Sequence, residues 1–154
     1  SNVEARGSFV VGALFSLLLG PVPGFIIPFC GQVINDILFS QVIYVEWAIG
    51  SGMLCFFIGL LKNKIKLSEE PFGIKKALIF NAVQCLGNIV AFTLFVSFVD
   101  VVILSQDSSE VFLQTAITSL TNFITLAFVG TFVLKLYNTV RLDKTFPKKK
   151  KKKK

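Results

Sequence analysis

The chain has 154 residues, of which 53% are hydrophobic, 17 are Phe and only 16% are charged, and its mean hydropathy is +0.72. That leaves too little polar surface to cover a water-soluble domain of this size. The net charge of +7 comes entirely from the lysine run at residues 148–154, so the body is near neutral and lacks the basic, aromatic-interleaved face that nucleic acid requires.

Five apolar runs follow one another. The first, residues 9–19, is short and ends at the cluster Gly20-Pro21-Val22-Pro23-Gly24, which predicts a turn over residues 20–24. The second, residues 25–39, carries Gln32, Asn35 and Asp36 at i, i+3, i+4, on one helical face. The third covers residues 42–61. A polar segment with Lys62, Lys64, Lys66, Glu69, Glu70, Lys75 and Lys76 separates it from a long fourth run at residues 77–104. An acidic turn with Asp107 leads into the fifth, residues 111–136. A membrane-spanning helix needs about 20 mainly apolar residues. In lipid only helices and closed barrels satisfy their backbone, and these runs are too continuous for barrel strands. The expected fold is an all-α membrane protein: a polytopic helix bundle forming one domain over residues 1–147, with a poly-Lys tail at 148–154.

Charge fixes an expected orientation. Every Lys and Arg except Arg6 lies between the third and fourth runs or after the start of residue 135. The positive-inside rule makes that side cytoplasmic, with the C-terminus. Asp36, Glu46, Asp100, Asp107 and Glu110 then lie at or near the outer side. The lysine tail is expected either to lie against anionic lipid or to be a solvated charge run.

Polar groups inside lipid-facing spans usually turn towards protein or a cavity. Asn81, Gln84 and Asn88 in the fourth run read mainly as interhelical hydrogen-bond partners. Gln114, Thr118, Thr121, Asn122 and Thr125 form a stripe on the fifth. Near the outer mouth, Asn35, Asp36, Glu46, Gln114 and Thr118 are positioned either to contact a ligand or to stand in solvent. Phe39, Tyr44 and Trp47 form either an interfacial aromatic belt or a stacking surface for a planar ring. Gly50, Ser51, Gly52, Gly59, Gly87 and Gly130 read as sites of close helix packing.

Little here supports catalysis. The chain has no His, which removes the usual general base and the commonest metal ligand. Cys30, Cys55 and Cys85 have no metal-ligand spacing and are expected to be buried free thiols. There is no G-x-x-x-x-G-K-[ST] loop to bind ATP phosphates. No enzymatic activity, cofactor or metal is expected.

Several markers occur in order along nearly the whole chain: Asn2-x-Glu4 with Phe9, Gly20-Pro21-x-x-Gly24, and Gly31 with Asp36 five residues on. They continue with Trp47-x-x-x-Ser51-Gly52, Pro71-Phe72-Gly73, Asn81 and Asn88, and Asn122-x-Ile124-Thr125. In these the chain resembles the substrate-specific S component of energy-coupling factor (ECF) vitamin transporters, of the riboflavin type. Two departures fall in the outer half. Gln32 stands where the family often has His, and Tyr44-Val45-Glu46-Trp47 replaces a tryptophan-rich stretch.

The resemblance implies six helices, with the first absent from this sequence, so that five of the six are present. It implies that the missing helix docks a transmembrane coupling subunit, and that two ATPase subunits drive reorientation. It also implies that the loop following that helix, of which residues 2–8 remain, covers the bound vitamin. Riboflavin would be the transported ligand, not a cofactor. Depth and side then nominate Glu4, Asn35, Asp36, Tyr44, Trp47, Gln114 and Thr118 as substrate contacts. The rival readings are an S component for a thiamine-like heterocycle, a membrane scaffold without a small ligand, and a membrane-embedded enzyme.

Overall fold

The computed structural model describes residues 8–145, which form five helices and no strand. They are α1 (Ser8–Leu19), α2 (Pro21–Ser40), α3 (Val45–Ile65), α4 (Ile74–Ile103) and α5 (Ser108–Thr145). The last four are each long and apolar enough to cross a bilayer. The all-α polytopic bundle expected from the sequence is therefore the fold observed. Glu4, Arg6 and the lysine tail lie outside the described residues.

Large apolar side chains such as Leu38, Leu78, Phe128 and Phe132 point away from the bundle, as lipid requires. The core is built by Leu17 of α1, Leu54 and Ile58 of α3, Phe80 and Phe92 of α4, and Leu126 and Leu134 of α5. Helix α3 is central: 56% of its most apolar window is buried inside the bundle, against 17% for α2.

The α1–α2 corner is tighter than the sequence suggests. Only Gly20 leaves the helical path, at φ 104°, a region that disfavours any residue with a Cβ. Pro21 sits at the start of α2, where its missing N–H costs nothing and its fixed φ suits a helix. The expected turn over residues 20–24 is thus corrected to a one-residue break, because Pro21 and Pro23 can start a helix as readily as they end one. Gly59 of α3 packs directly on this corner; a Cβ there would lie 2.6 Å from Pro21 Cα.

Helix α4 contains widened π-helical turns at Ile89–Val96 and Val99–Ile103. Their effect is visible in the buried face. Phe80, Gln84, Gly87 and Ala91 point inward at ordinary spacing. A continuing period of about 3.6 residues would next bury positions near Leu94 and Phe98. Instead both are exposed, and Val96, Ser97 and Asp100 point inward.

The polar residues of α4 and α5 stitch those helices together. Asn81 Nδ2 donates to Thr131 Oγ1 at 3.0 Å, and Gln84 Nε2 to the Phe123 carbonyl at 3.2 Å. Ser119 Oγ donates to the Asn88 carbonyl at 3.2 Å. The hydroxyls of Thr93 and Ser119 pair at 2.9 Å, and those of Ser97 and Thr115 at 2.8 Å. In the first half of α5 the buried polar positions are Thr115, Ser119 and Asn122, while Gln114, Thr118, Thr121 and Thr125 flank them half-buried. The predicted stripe is thus rotated by about one residue. Of the cysteines, only Cys55 is buried; Cys85 is half-buried, and Cys30 is exposed on α2, correcting the expectation of three buried thiols.

The α3–α4 connection is held by one side chain that sequence reading did not single out. Asn138 of α5, 4% exposed, accepts from Phe72 N–H at 2.9 Å and donates to the carbonyls of Leu67 and Glu70, each at 2.7 Å. Glu70 also pairs with Lys76 at 2.8 Å and Lys66 at 3.2 Å, and these hydrogen bonds, Lys76 first, hold its carboxyl below the ordinary 4.5. Asn138→Ala orphans one backbone donor and two acceptors. At about 1–3 kcal/mol per buried unsatisfied group, it is expected to cost roughly 3 kcal/mol or more and to speed proteolysis between residues 66 and 73. Limited proteolysis in detergent checks this.

Candidate functional site

The two ends of the bundle differ in charge. The described lysines and arginine gather where α3 ends, α4 begins and α5 ends. The opposite end, formed by the α2–α3 turn, the α4–α5 turn and the start of α1, carries Asp36, Glu46, Asp100, Asp107 and Glu110 and no described base.

There Asp36 is 2% exposed. Its Oδ1 accepts from Gln32 Nε2 at 2.7 Å and its Oδ2 from the Tyr44 backbone N–H at 3.1 Å. The side chain closes the α2–α3 turn, which passes through Gln41 at φ 56°. Glu46, 9% exposed, begins α3 and lies near enough to Asp100 and Asp36 to feel both charges. Asp100, 3% exposed, hydrogen-bonds with the Trp47 side chain, and its Oδ1 has no hydrogen-bond partner among the described residues. Trp47 is half-buried and packs on Phe92, with ring centroids 5.8 Å apart at 43°. Phe92 in turn meets Phe9 of α1 edge-on at 6.0 Å. Asp107 caps α5 from the neighbouring turn by accepting from Ser109 and Glu110. Those bonds, the Ser109 hydroxyl first, hold its carboxyl below the ordinary 3.8.

The nominated residues therefore separate. Asp36, Tyr44 and Trp47 converge at the acidic end, and Asp36 and Glu46 are buried rather than solvated. Tyr44 and Phe39 are exposed, Phe39 at 79%, as in an interfacial belt. Asn35 is half-buried on α2, and Gln114 and Thr118 are half-buried beside the Ser97–Thr115 link. Glu4 falls outside the described residues. Sequence reading placed Asp100 only in an outer turn; its inward position follows from the widened turns of α4. Among the described residues, no group of three His, Cys, Asp or Glu is arranged to hold a metal ion.

Such an arrangement can bind but offers no nucleophile–base pair. Intramembrane carboxylates are costly, and their retention points to a site. The wider comparisons agree with a binding role. A family described as "ECF-type riboflavin transporter, S component" matches residues 2–139. A UPF0397 protein of Lactococcus lactis subsp. cremoris (strain NZ9000) is 35% identical over 140 residues, covering 91% of this chain and 77% of the relative. UPF0397 proteins of Clostridium perfringens (strain ATCC 13124) and Lactobacillus helveticus (strain DPC 4571) are 33% and 34% identical over 144 residues, covering 94% of this chain and 77% of each relative. No solved structure matches. The chain belongs to the family of ECF-type riboflavin transporter S components, and is thus a multi-pass membrane subunit of a vitamin transporter.

Proposed function

We propose that this subunit captures a vitamin from outside the cell at the acidic end of the bundle, riboflavin being the leading ligand, and presents it for ATP-driven uptake. The observation that carries this reading is the set of buried carboxylates of Asp36, Glu46 and Asp100 around the half-buried Trp47, with all described basic residues at the other end. The non-basic end is the outer end under the positive-inside rule, which leaves the C-terminus in the cytoplasm. In this reading Trp47 stacks on the heterocycle, Tyr44, Asn35, Gln114, Thr118 and Glu4 complete the lining, and Asp36 positions Tyr44 through the turn. A transmembrane coupling subunit and two ATPases supply the energy; the chain itself does no chemistry. A second reading keeps the architecture but takes a thiamine-like heterocycle, which buried carboxylates unmatched by any described lysine or arginine favour.

Trp47 is the single tryptophan of the chain, so bound ligand reports through its fluorescence. The purified protein in nanodiscs is expected to bind riboflavin with quenching of both flavin and tryptophan emission. Trp47→Ala should weaken binding by roughly tenfold or more, from one lost aromatic contact of about 1–3 kcal/mol. Unquenched flavin together with unquenched tryptophan across both vitamins would return the chain to the scaffold class.

A further inference from the structure

The acidic end presents carboxylates from three helices and, among the described residues, no lysine or arginine to match them. The described ion pairs, Lys66–Glu70 and Lys76–Glu70, lie at the opposite end. The three acids are not equivalent. Asp36 has both oxygens bonded within the α2–α3 turn. Asp100, 3% exposed, keeps Oδ1 without a partner among the described residues, and Glu46, 9% exposed, is buried at the same end of the bundle. The widened turns of α4 bring Asp100 inward where an even helix would present Phe98. A buried carboxylate is acceptor-only when ionised, so it needs donors or positive charge from whatever lies against it. A ligand that brings an N–H group or a cationic centre meets that need.

We propose that Glu46 and Asp100 set the charge selectivity of the binding site, favouring heterocycles that present N–H donors or a positive charge and rejecting those that carry phosphate or carboxylate. This rests on the reading of the acidic end as the ligand site. Placing a ligand anion beside two buried carboxylates is repulsive and poorly screened. The same groups accept hydrogen bonds from an imide or amino N–H, and Trp47 beside them offers its face to a ring or a cation.

The test measures tryptophan fluorescence of the full chain in nanodiscs against two pairs of probes: riboflavin and its 5′-phosphate, thiamine and its monophosphate. Wild type is expected to bind the unphosphorylated member of at least one pair more than about tenfold tighter than its phosphate. The double variant Glu46→Gln, Asp100→Asn removes both charges but keeps acceptor oxygens, and should pull that ratio towards one. Asp100→Glu should preserve the discrimination, which separates charge from folding; size-exclusion profiles identify any variant that fails to fold. Equal wild-type affinities within a pair, or a ratio unchanged in the double variant, overturns the inference while leaving the transporter role standing. Failure of wild type to bind any of the four probes overturns both.

Discussion

Gly59→Val should unfold or severely loosen the bundle, with a loss expected above about 3 kcal/mol. A Cβ at this position would lie 2.6 Å from Pro21 Cα, 2.7 Å from Pro21 N and 2.8 Å from the Gly20 carbonyl carbon. All three neighbours are backbone, so no side-chain rotation relieves the clash. Gly20 cannot yield cheaply either, since its φ of 104° is already committed to the corner. The two helices must separate, and in lipid little draws them back. Apolar association there depends on close van der Waals contact rather than on escape from water. The separated surfaces include Leu17, Leu54 and Ile58, the centre of the core. Gly59→Ala should show the same effect in milder form. Thermal unfolding in detergent, followed by the protection of Cys55 from thiol reagents, reads both: Cys55 is buried in the native bundle, so early labelling marks opened packing. A Gly59→Val protein that melts like wild type would remove this corner from the account of stability.

The spans were legible in the sequence because lipid demands long apolar runs, and Pro, Gly and charge clusters interrupt them. Helices α2 to α5 match the expected runs, extended where polar first and last turns remain helical beyond the apolar stretch. Asn81 and Gln84 kept their expected interhelical role, whereas the Asn88 amide bonds Gln84 of its own helix and meets α5 only through its backbone carbonyl. Three features were less readable, each for a physical reason. Asp100 depends on π-helical turns, which break the 3.6 periodicity that places residues on faces. Thr115 and Ser119 were passed over for neighbours one residue away, because threonine and serine at the helix flank bond their own carbonyls as readily as a partner helix. Asn138 latches a segment some 70 positions earlier, and nothing local signals so distant a contact. Of the candidate site, the α2–α3 turn with Asp36, Tyr44 and Trp47 was readable. The convergence of α4 on it was not.

The two ends of the bundle divide stability and binding between them. At the basic end, Asn138 and Glu70 tie the α3–α4 connection to α4 and α5 through bonds that leave few polar groups spare. At the acidic end the turn is equally tied, by Asp36, but Asp100 Oδ1 stands without a partner among the described residues. A protein selected only for stability gains nothing from buried carboxylates in a membrane span that no described lysine or arginine matches, since each is costly. Their presence therefore separates a ligand-binding subunit from a scaffold more sharply than the amide stripes do, since amides serve helix packing in either case.

Asp36→Ala is the second large effect, and it should reach both stability and binding. The substitution removes the acceptor for Tyr44 N–H at 3.1 Å and for Gln32 Nε2 at 2.7 Å in one step. A backbone donor left unsatisfied costs about 1–3 kcal/mol, and loss of the charged acceptor for the amide adds a comparable amount, for an expected total of roughly 2–4 kcal/mol. The turn then loses its anchor at the point where it must pass through the left-handed Gln41. Tyr44 precedes Glu46 and Trp47 by less than one helical turn, so all three lose their fixed placement together. Ligand affinity is accordingly expected to fall by more than tenfold, beyond what the stability loss alone would cause when binding is measured well below the melting temperature. Asp36→Asn keeps a carbonyl oxygen for the Tyr44 N–H and should retain most of the stability and part of the affinity. A purely ligand-contacting Asp36 gives a different pattern: affinity lost in both variants and melting unchanged in either. Thermal melts and tryptophan-quenching titrations on the same two preparations distinguish an aspartate that holds the turn from one that touches the vitamin.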